Sequence, residues 1–167
     1  AIACVVVISA FGLSNYWNTS IEKATQTQQV YSCLNGKSKI KLPDGSEVWL
    51  HANTMLTYNN HAKKRIVHME GEAYFEVTHD KERPFTVQSG DMQVVVHGTK
   101  FNVYSPANSI ESKVSLLEGS VSVETPTESQ FLKPGEIAVY NTIDGSLDIR
   151  QGNVTFEKSW ANNNLYI

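Results

Sequence analysis

From residue 38 onward, apolar and polar side chains alternate in short runs, and a turn signal interrupts them every eight to twelve residues or so. A period of two sends successive side chains to opposite faces of an extended chain, so each run can bury one face and wet the other. So little sequence separates the runs that helical crossovers have no room. The fold class expected is all-β: an antiparallel two-sheet sandwich or roll, β-helix-like in its winding. Strands are expected at residues 39–42, 47–50, 55–58, 65–69, 72–78, 85–89, 92–97, 100–104, 113–117, 120–124, 137–140 and 147–151.

Turn chemistry supports the division. Pro43-Asp44-Gly45-Ser46 combines a preset φ with a glycine that tolerates positive φ, so Ile40 and Leu42 can face Val48 and Leu50. Lys133-Pro134-Gly135-Glu136 closes a second turn, and Asp144-Gly145-Ser146 signals a hairpin. In EAYFEVT (72–78), Ala73, Phe75 and Val77 are expected to point to the core, with Glu72, Tyr74 and Glu76 on the wet face. MEGEAYFEV and LEGSVSVE echo each other, which marks Gly71 and Gly119 as equivalent corner or bulge positions.

The length of 167 residues suits one domain plus a tail. The 14 Lys and Arg against 17 Asp and Glu leave a formal net charge of −3, so no basic field exists to attract nucleic acid. Apolar residues at 41 % and charged residues at 19 % fit a folded core rather than a disordered chain. Cys4 sits in an apolar run and Cys33 in a polar one, which disfavours a bridge, and no CxxC is present.

Residues 1–13 (AIACVVVISAFGL) carry no charge, and Tyr16 and Trp17 follow where an aromatic interface belt would lie. At about 1.5 Å per residue, residues 1–17 span roughly 25 Å, slightly short of a hydrocarbon core of about 30 Å. They are read as the exit end of an N-terminal transmembrane helix that begins upstream. The alternatives are the remnant of a cleaved secretory segment and a buried helix. The expected organisation is a membrane helix at 1–17, a polar linker at 18–33, a β domain at 34–152 and a second linker at 153–167. A short helix at 21–29 is an alternative within the first linker.

Candidate chemistry outside the strand pattern is thin. His51, His61, His68, His79 and His97 show no metal-ligand spacing, and no cofactor or metal is expected. Glu70, Glu72 and Glu76 cluster in sequence, but Glu72 and Glu76 share a strand face and read as solvated rather than as a facing catalytic pair. Lys63-Lys64-Arg65 reads as a solvated basic loop. Trp49, Tyr58 and Tyr74 would form a sugar-binding platform if exposed, which keeps a carbohydrate-binding module as the alternative; packing roles suit them better.

The ordered set LPDGSEVWL, GEAYFEV, RPFTV, HGTKFNV, LLEGSVSV and LKPGE resembles the FecR family of anti-sigma regulators in its periplasmic domain, over residues 34–140. The resemblance implies a single-pass inner-membrane protein with its β domain in the periplasm. A preceding cytoplasmic segment would hold an extracytoplasmic-function sigma factor. The signal would come from the N-terminal extension of an outer-membrane TonB-dependent receptor, for siderophores or, in gut-type bacteria, glycans. A small further domain would follow residues 156–167. The resemblance also implies self-cleavage in some members at a Gly-Thr bond, matched here by Gly98-Thr99. The chemistry would be an N-to-O acyl shift driven by the Thr99 hydroxyl, without multiple-turnover enzyme activity. His97, adjacent to the pair, departs from the apolar residue common in the family, and its role as a base is open. A plain tight turn between two strands is the other reading of Gly98-Thr99.

Overall fold

The computed structural model describes residues 27–61, 63–155 and 160–161. The expected membrane segment at 1–17, Cys4 and most of the expected second linker lie outside the described residues. No helix long and apolar enough to cross a membrane occurs among the described residues.

The described chain is built of strands: β1 (Thr27–Cys33), β2 (Lys37–Lys41), β3 (Glu47–His51), β4 (Thr54–Asn60), β5 (Arg65–Glu76), β6 (Phe85–Ser89) and β7 (Met92–Val96). After them come β8 (Lys100–Ser105), β9 (Glu111–Glu118), β10 (Val121–Glu124), β11 (Ser129–Leu132), β12 (Glu136–Asn141) and β13 (Leu147–Gln151). One sheet has the order β1-β4-β5-β6-β7-β10-β11, and the other β2-β3-β5-β8-β9-β12-β13. The all-β expectation holds, and the two sheets are joined because β5 belongs to both. Its first half pairs with β4 and β6, its second half with β3 and β8.

Gly71 is where β5 passes from one sheet to the other. Its φ is 113°, and a Cβ there would lie 2.6 Å from Thr54 Oγ1 and 2.9 Å from the Asn53 carbonyl oxygen, so only glycine fits. Thr54 Oγ1 bridges the crossing, donating to the Glu72 carbonyl and accepting from the Glu72 N–H. Gly119 lies between β9 of the second sheet and β10 of the first, at the opposite end of the module. Both halves of the sequence echo therefore mark crossings between sheets.

Apolar faces meet in a single core. Phe75 stacks on Phe101 at 5.0 Å within the second sheet and meets Phe85 of the first at 6.1 Å. Val48, Leu50, Leu56, Val67, Val94, Val103 and Leu116 complete the interior. Cys33 is a buried free thiol.

Several expectations change. Seven residues of the stretch read as a linker at 18–33 form β1, which runs along β4 from Thr27 opposite Asn60 to Cys33 opposite Thr54. Ladder hydrogen bonds need no side-chain pattern, so a polar sequence can supply an edge strand. β11 was unmarked for the same reason. The two strands expected at 65–69 and 72–78 are one continuous strand. The β5–β6 pair is parallel rather than antiparallel, because residues 77–84 carry the chain back to the level of Arg65 before β6 begins. Tyr74 is fully buried instead of wet. It lies opposite Trp49 and Asn102 across the ladders, with the Trp49 ring at 5.4 Å, and its hydroxyl donates to Glu76 Oε1 at 3.0 Å. Burial and the Glu76 carboxylate push the phenol pKa upward.

Arg65, expected in a solvated loop, has the most consequential position. Its side chain and that of Asp44 are each 1 % exposed, and Nη1 reaches Asp44 Oδ2 at 2.8 Å. Nη1 also donates to the Thr78 carbonyl at 2.9 Å, Nε to the Arg83 carbonyl at 3.0 Å, and the guanidinium faces the Phe85 ring at 5.4 Å. Asp44 in turn accepts from Ser46 N–H and Oγ–H, and Ser46 Oγ accepts from Thr78 N–H. The guanidinium thus ties the start of β5 in one sheet to the loop that follows its end in the other.

Arg65→Ala strands the Asp44 carboxylate in the interior and is expected to cost about 3–5 kcal/mol, read from the urea midpoint; a loss below about 1 kcal/mol would contradict the clamp. The neighbouring Tyr58 phenol is pushed up to about 12, by burial first and then by the Asp44 charge. An unfolded phenol ionises near pH 10, so the stability held by neutral Tyr58 is complete below about pH 10 and is lost as pH rises toward about 12. Tyr58→Phe is expected to flatten that alkaline slope in melts followed by circular dichroism.

Candidate functional site

Gly98 and Thr99 form the corner between β7 of the first sheet and β8 of the second. Strand alternation ends at Val96, and the next residues must turn the chain across the open end of the sandwich. Gly98 has a φ of 157°, and a Cβ there would fall 2.5 Å from His79 Nδ1 and 2.7 Å from His79 Cα. The glycine is required by the close approach of the 77–84 loop. Two backbone bonds dock that loop on the corner: Val77 N–H to the Thr99 carbonyl at 3.0 Å and Asp80 N–H to the His97 carbonyl at 2.8 Å.

Thr99 is 4 % exposed, and its Oγ1 donates to the Ser120 carbonyl at 3.1 Å. Gly119 stands over the same bond. A Cβ at Gly119 would lie 3.0 Å from Thr99 Oγ1 and 3.1 Å from the Gly98 carbonyl oxygen, so hydroxyl and carbonyl face the same neighbour. The Gly98-Thr99 peptide is clasped between the 77–80 segment on one side and the 118–120 corner on the other.

This corner lines a cleft of about 310 Å³ together with Glu76, Thr78, His79, Lys100 and Glu118. Lys100 Nζ and Glu118 Oε2 pair at 2.7 Å across its mouth. The hydrogen bond and charge of Glu118 hold the Lys100 ammonium pKa above its ordinary value. With a buried hydroxyl beside a carbonyl and a titratable imidazole against the intervening glycine, the arrangement offers a nucleophile, an electrophile and a proton carrier in one place.

Other sequence candidates fall elsewhere. The His97 side chain is exposed. Glu70 sits on the first-sheet half of β5, Glu72 accepts from Asn102 Nδ2 at 3.1 Å, and Glu76 accepts from Tyr74. No sugar platform forms from Trp49, Tyr58 and Tyr74, since both tyrosines are fully buried. The sequence resemblance pointed to Gly98-Thr99 and the echo marked Gly119 as a corner, but neither His79 nor Ser120 was expected at this site, nor Gly119's place in it. The echo around Gly119 was the available signal for a corner, but nothing local in sequence said which corner it would meet.

Gly98→Ala drives a methyl group into the His79 backbone and is expected to cost about 2 kcal/mol or more, measured by thermal unfolding. An unchanged midpoint would mean that the 77–84 loop is not held against the corner.

Two crystal structures of a candidate anti-sigma factor from Parabacteroides distasonis ATCC 8503 share this architecture, at 2.50 and 1.65 Å resolution. Each is 31 % identical with a TM-score of 0.78; the alignments cover 84 % and 83 % of this chain and 67 % and 66 % of theirs. The chain thus spans about two thirds of the length of these relatives. No curated protein matches the chain. The FecR protein family matches residues 25–122, from just before β1 through the Gly98-Thr99 corner and into β10. The match covers more than half the sequence, and the chain belongs to the FecR family.

Proposed function

We propose that this chain is the signal-relaying β module of a membrane-tethered anti-sigma regulator. In this reading residues 1–17 belong to a single inner-membrane span, and the module stands in the periplasm. It receives a docking signal from the N-terminal extension of an outer-membrane TonB-dependent receptor for a siderophore or glycan. The signal passes across the membrane to an extracytoplasmic-function sigma factor held by a cytoplasmic segment of the full-length protein. FecR membership over residues 25–122 carries the reading, with the likeness to the Parabacteroides anti-sigma candidate beside it.

The geometry supports self-scission at Gly98-Thr99 as the chemical part of the relay. Thr99 Oγ attacks the Gly98 carbonyl carbon, the C–N bond breaks, and the hydroxyl proton ends on the Thr99 nitrogen, leaving an ester that water opens. The chain acts once on itself and turns over no external substrate. The buried hydroxyl, oriented by the Ser120 carbonyl, supplies proximity without solvent competition.

Affinity capture of the full-length protein from its native membrane is expected to recover an extracytoplasmic-function sigma factor; recovery of none would overturn the anti-sigma reading. Thr99→Ala removes one hydrogen bond worth about 1 kcal/mol, so the variant is expected to fold and to remain a single chain by mass spectrometry. A fragment beginning at residue 99 in that variant would overturn the hydroxyl mechanism.

A further inference from the structure

An acyl shift at Gly98-Thr99 needs a group that takes the hydroxyl proton and returns it to the departing nitrogen. The Ser120 carbonyl orients the Thr99 hydroxyl but cannot hold its proton. The titratable side chains of the cleft are Glu76, His79, Lys100 and Glu118. Lys100 is engaged with Glu118 at 2.7 Å, and Glu76 accepts from the Tyr74 hydroxyl. His79 remains, and its imidazole is the kind of side chain that can both take up and return a proton.

Its position follows from the space that Gly98 leaves open. The site of a Cβ on Gly98 is 2.5 Å from His79 Nδ1, so with a carbon–carbon bond of about 1.5 Å the ring nitrogen lies within about 4 Å of Gly98 Cα. Two constraints hold its loop there, with the His79 side chain itself exposed. The Val77 and Asp80 backbone bonds dock its loop on the corner, and Asp80 accepts from Arg83 Nε and from the N–H groups of Glu82 and Arg83, which orders the turn just beyond it.

Resting on the scission reading above, we propose that His79 is the proton carrier of the reaction. Once the Thr99 hydroxyl turns from the Ser120 carbonyl toward the cleft, neutral imidazole accepts its proton as the Oγ–C bond forms, then donates it to the Thr99 nitrogen as the C–N bond breaks, and is itself unchanged. Charged groups around it are Asp80 and Arg83 on its own loop, Glu76 at the end of β5, and Lys100 and Glu118 across the cleft; His97 is the adjoining titratable residue of the corner. Since the neutral ring is the active form, the rate rises with pH through the histidine range and then levels.

The test follows the fragment beginning at residue 99 by mass spectrometry, in the whole chain, against pH. Wild type is expected to show the inflection. His79→Ala is expected to slow scission about 100-fold or more, to lose the inflection and to recover rate with added imidazole, while His97→Ala behaves as wild type. If the alanine variant does not fold, His79→Gln carries the same comparison. Scission of folded His79 variants at the wild-type rate with the inflection intact overturns the proton-carrier role and leaves the scission reading standing. A wild-type chain that stays intact with and without hydroxylamine, which would open an ester, overturns the scission reading and the role of His79 with it.

Discussion

The buried ion pair between Arg65 and Asp44 sets the geometry of one end of the module. A charge in the interior is costly unless it is paired, and here the guanidinium meets a carboxylate and a backbone carbonyl at Nη1, a second carbonyl at Nε and the Phe85 ring on its face. These partners come from the 43–46 turn, from both ends of the 77–84 loop, and from the start of β6. Satisfying one side chain therefore closes the two sheets on each other at this end. It also fixes the path of residues 77–84, which is the path that lays His79 against Gly98.

The sheets and the site have different physical origins. The sheets rest on the repeated burial of one face of each strand, a term that tolerates exchange of one apolar residue for another. The site rests on corners, where backbone and small side chains approach too closely for substitution. Gly98 and Gly119 each lie where a Cβ would meet a neighbouring loop or corner at about 3 Å or less. The turn at 43–46, the corners at 97–99 and 118–120 and the start of β6 all gather at the end that Arg65 closes. Most of the sequence segments that resemble the FecR family thus meet in space although they are spread along the chain.

That contrast explains what could be read from sequence. Alternating runs such as 85–89 and 92–96 announce themselves, because the information lies within the strand. β1 does not, because among its residues Tyr31 and Cys33 pack on the core while Val30 is exposed, and the strand is held by the backbone ladder to β4. Arg65 reads as one more cation in a basic run, since its partners Asp44 and Thr78 lie 21 and 13 residues away. The Gly98-Thr99 pair was legible as a turn between two strands, and as a site through the FecR resemblance. The groups that clasp it come from about 20 residues on either side, a juxtaposition that only the sheet crossings produce. Likewise, alternation along β5 could not show that its outward face would be covered at Tyr74.

The interleaved strand order bears on what a broken chain would do. A cut between Gly98 and Thr99 separates β1–β7 from β8–β13, yet each sheet contains strands from both pieces. In one sheet the seam runs between β7 and β10, in the other between residues 71–76 and 100–105. No ladder bond crosses the cut itself, so a nicked module keeps both sheets and its shape, as a tight complex of two interlocked polypeptides. Parting them would mean breaking the ladder bonds along both of those seams together, so the break by itself would leave the two pieces held to each other.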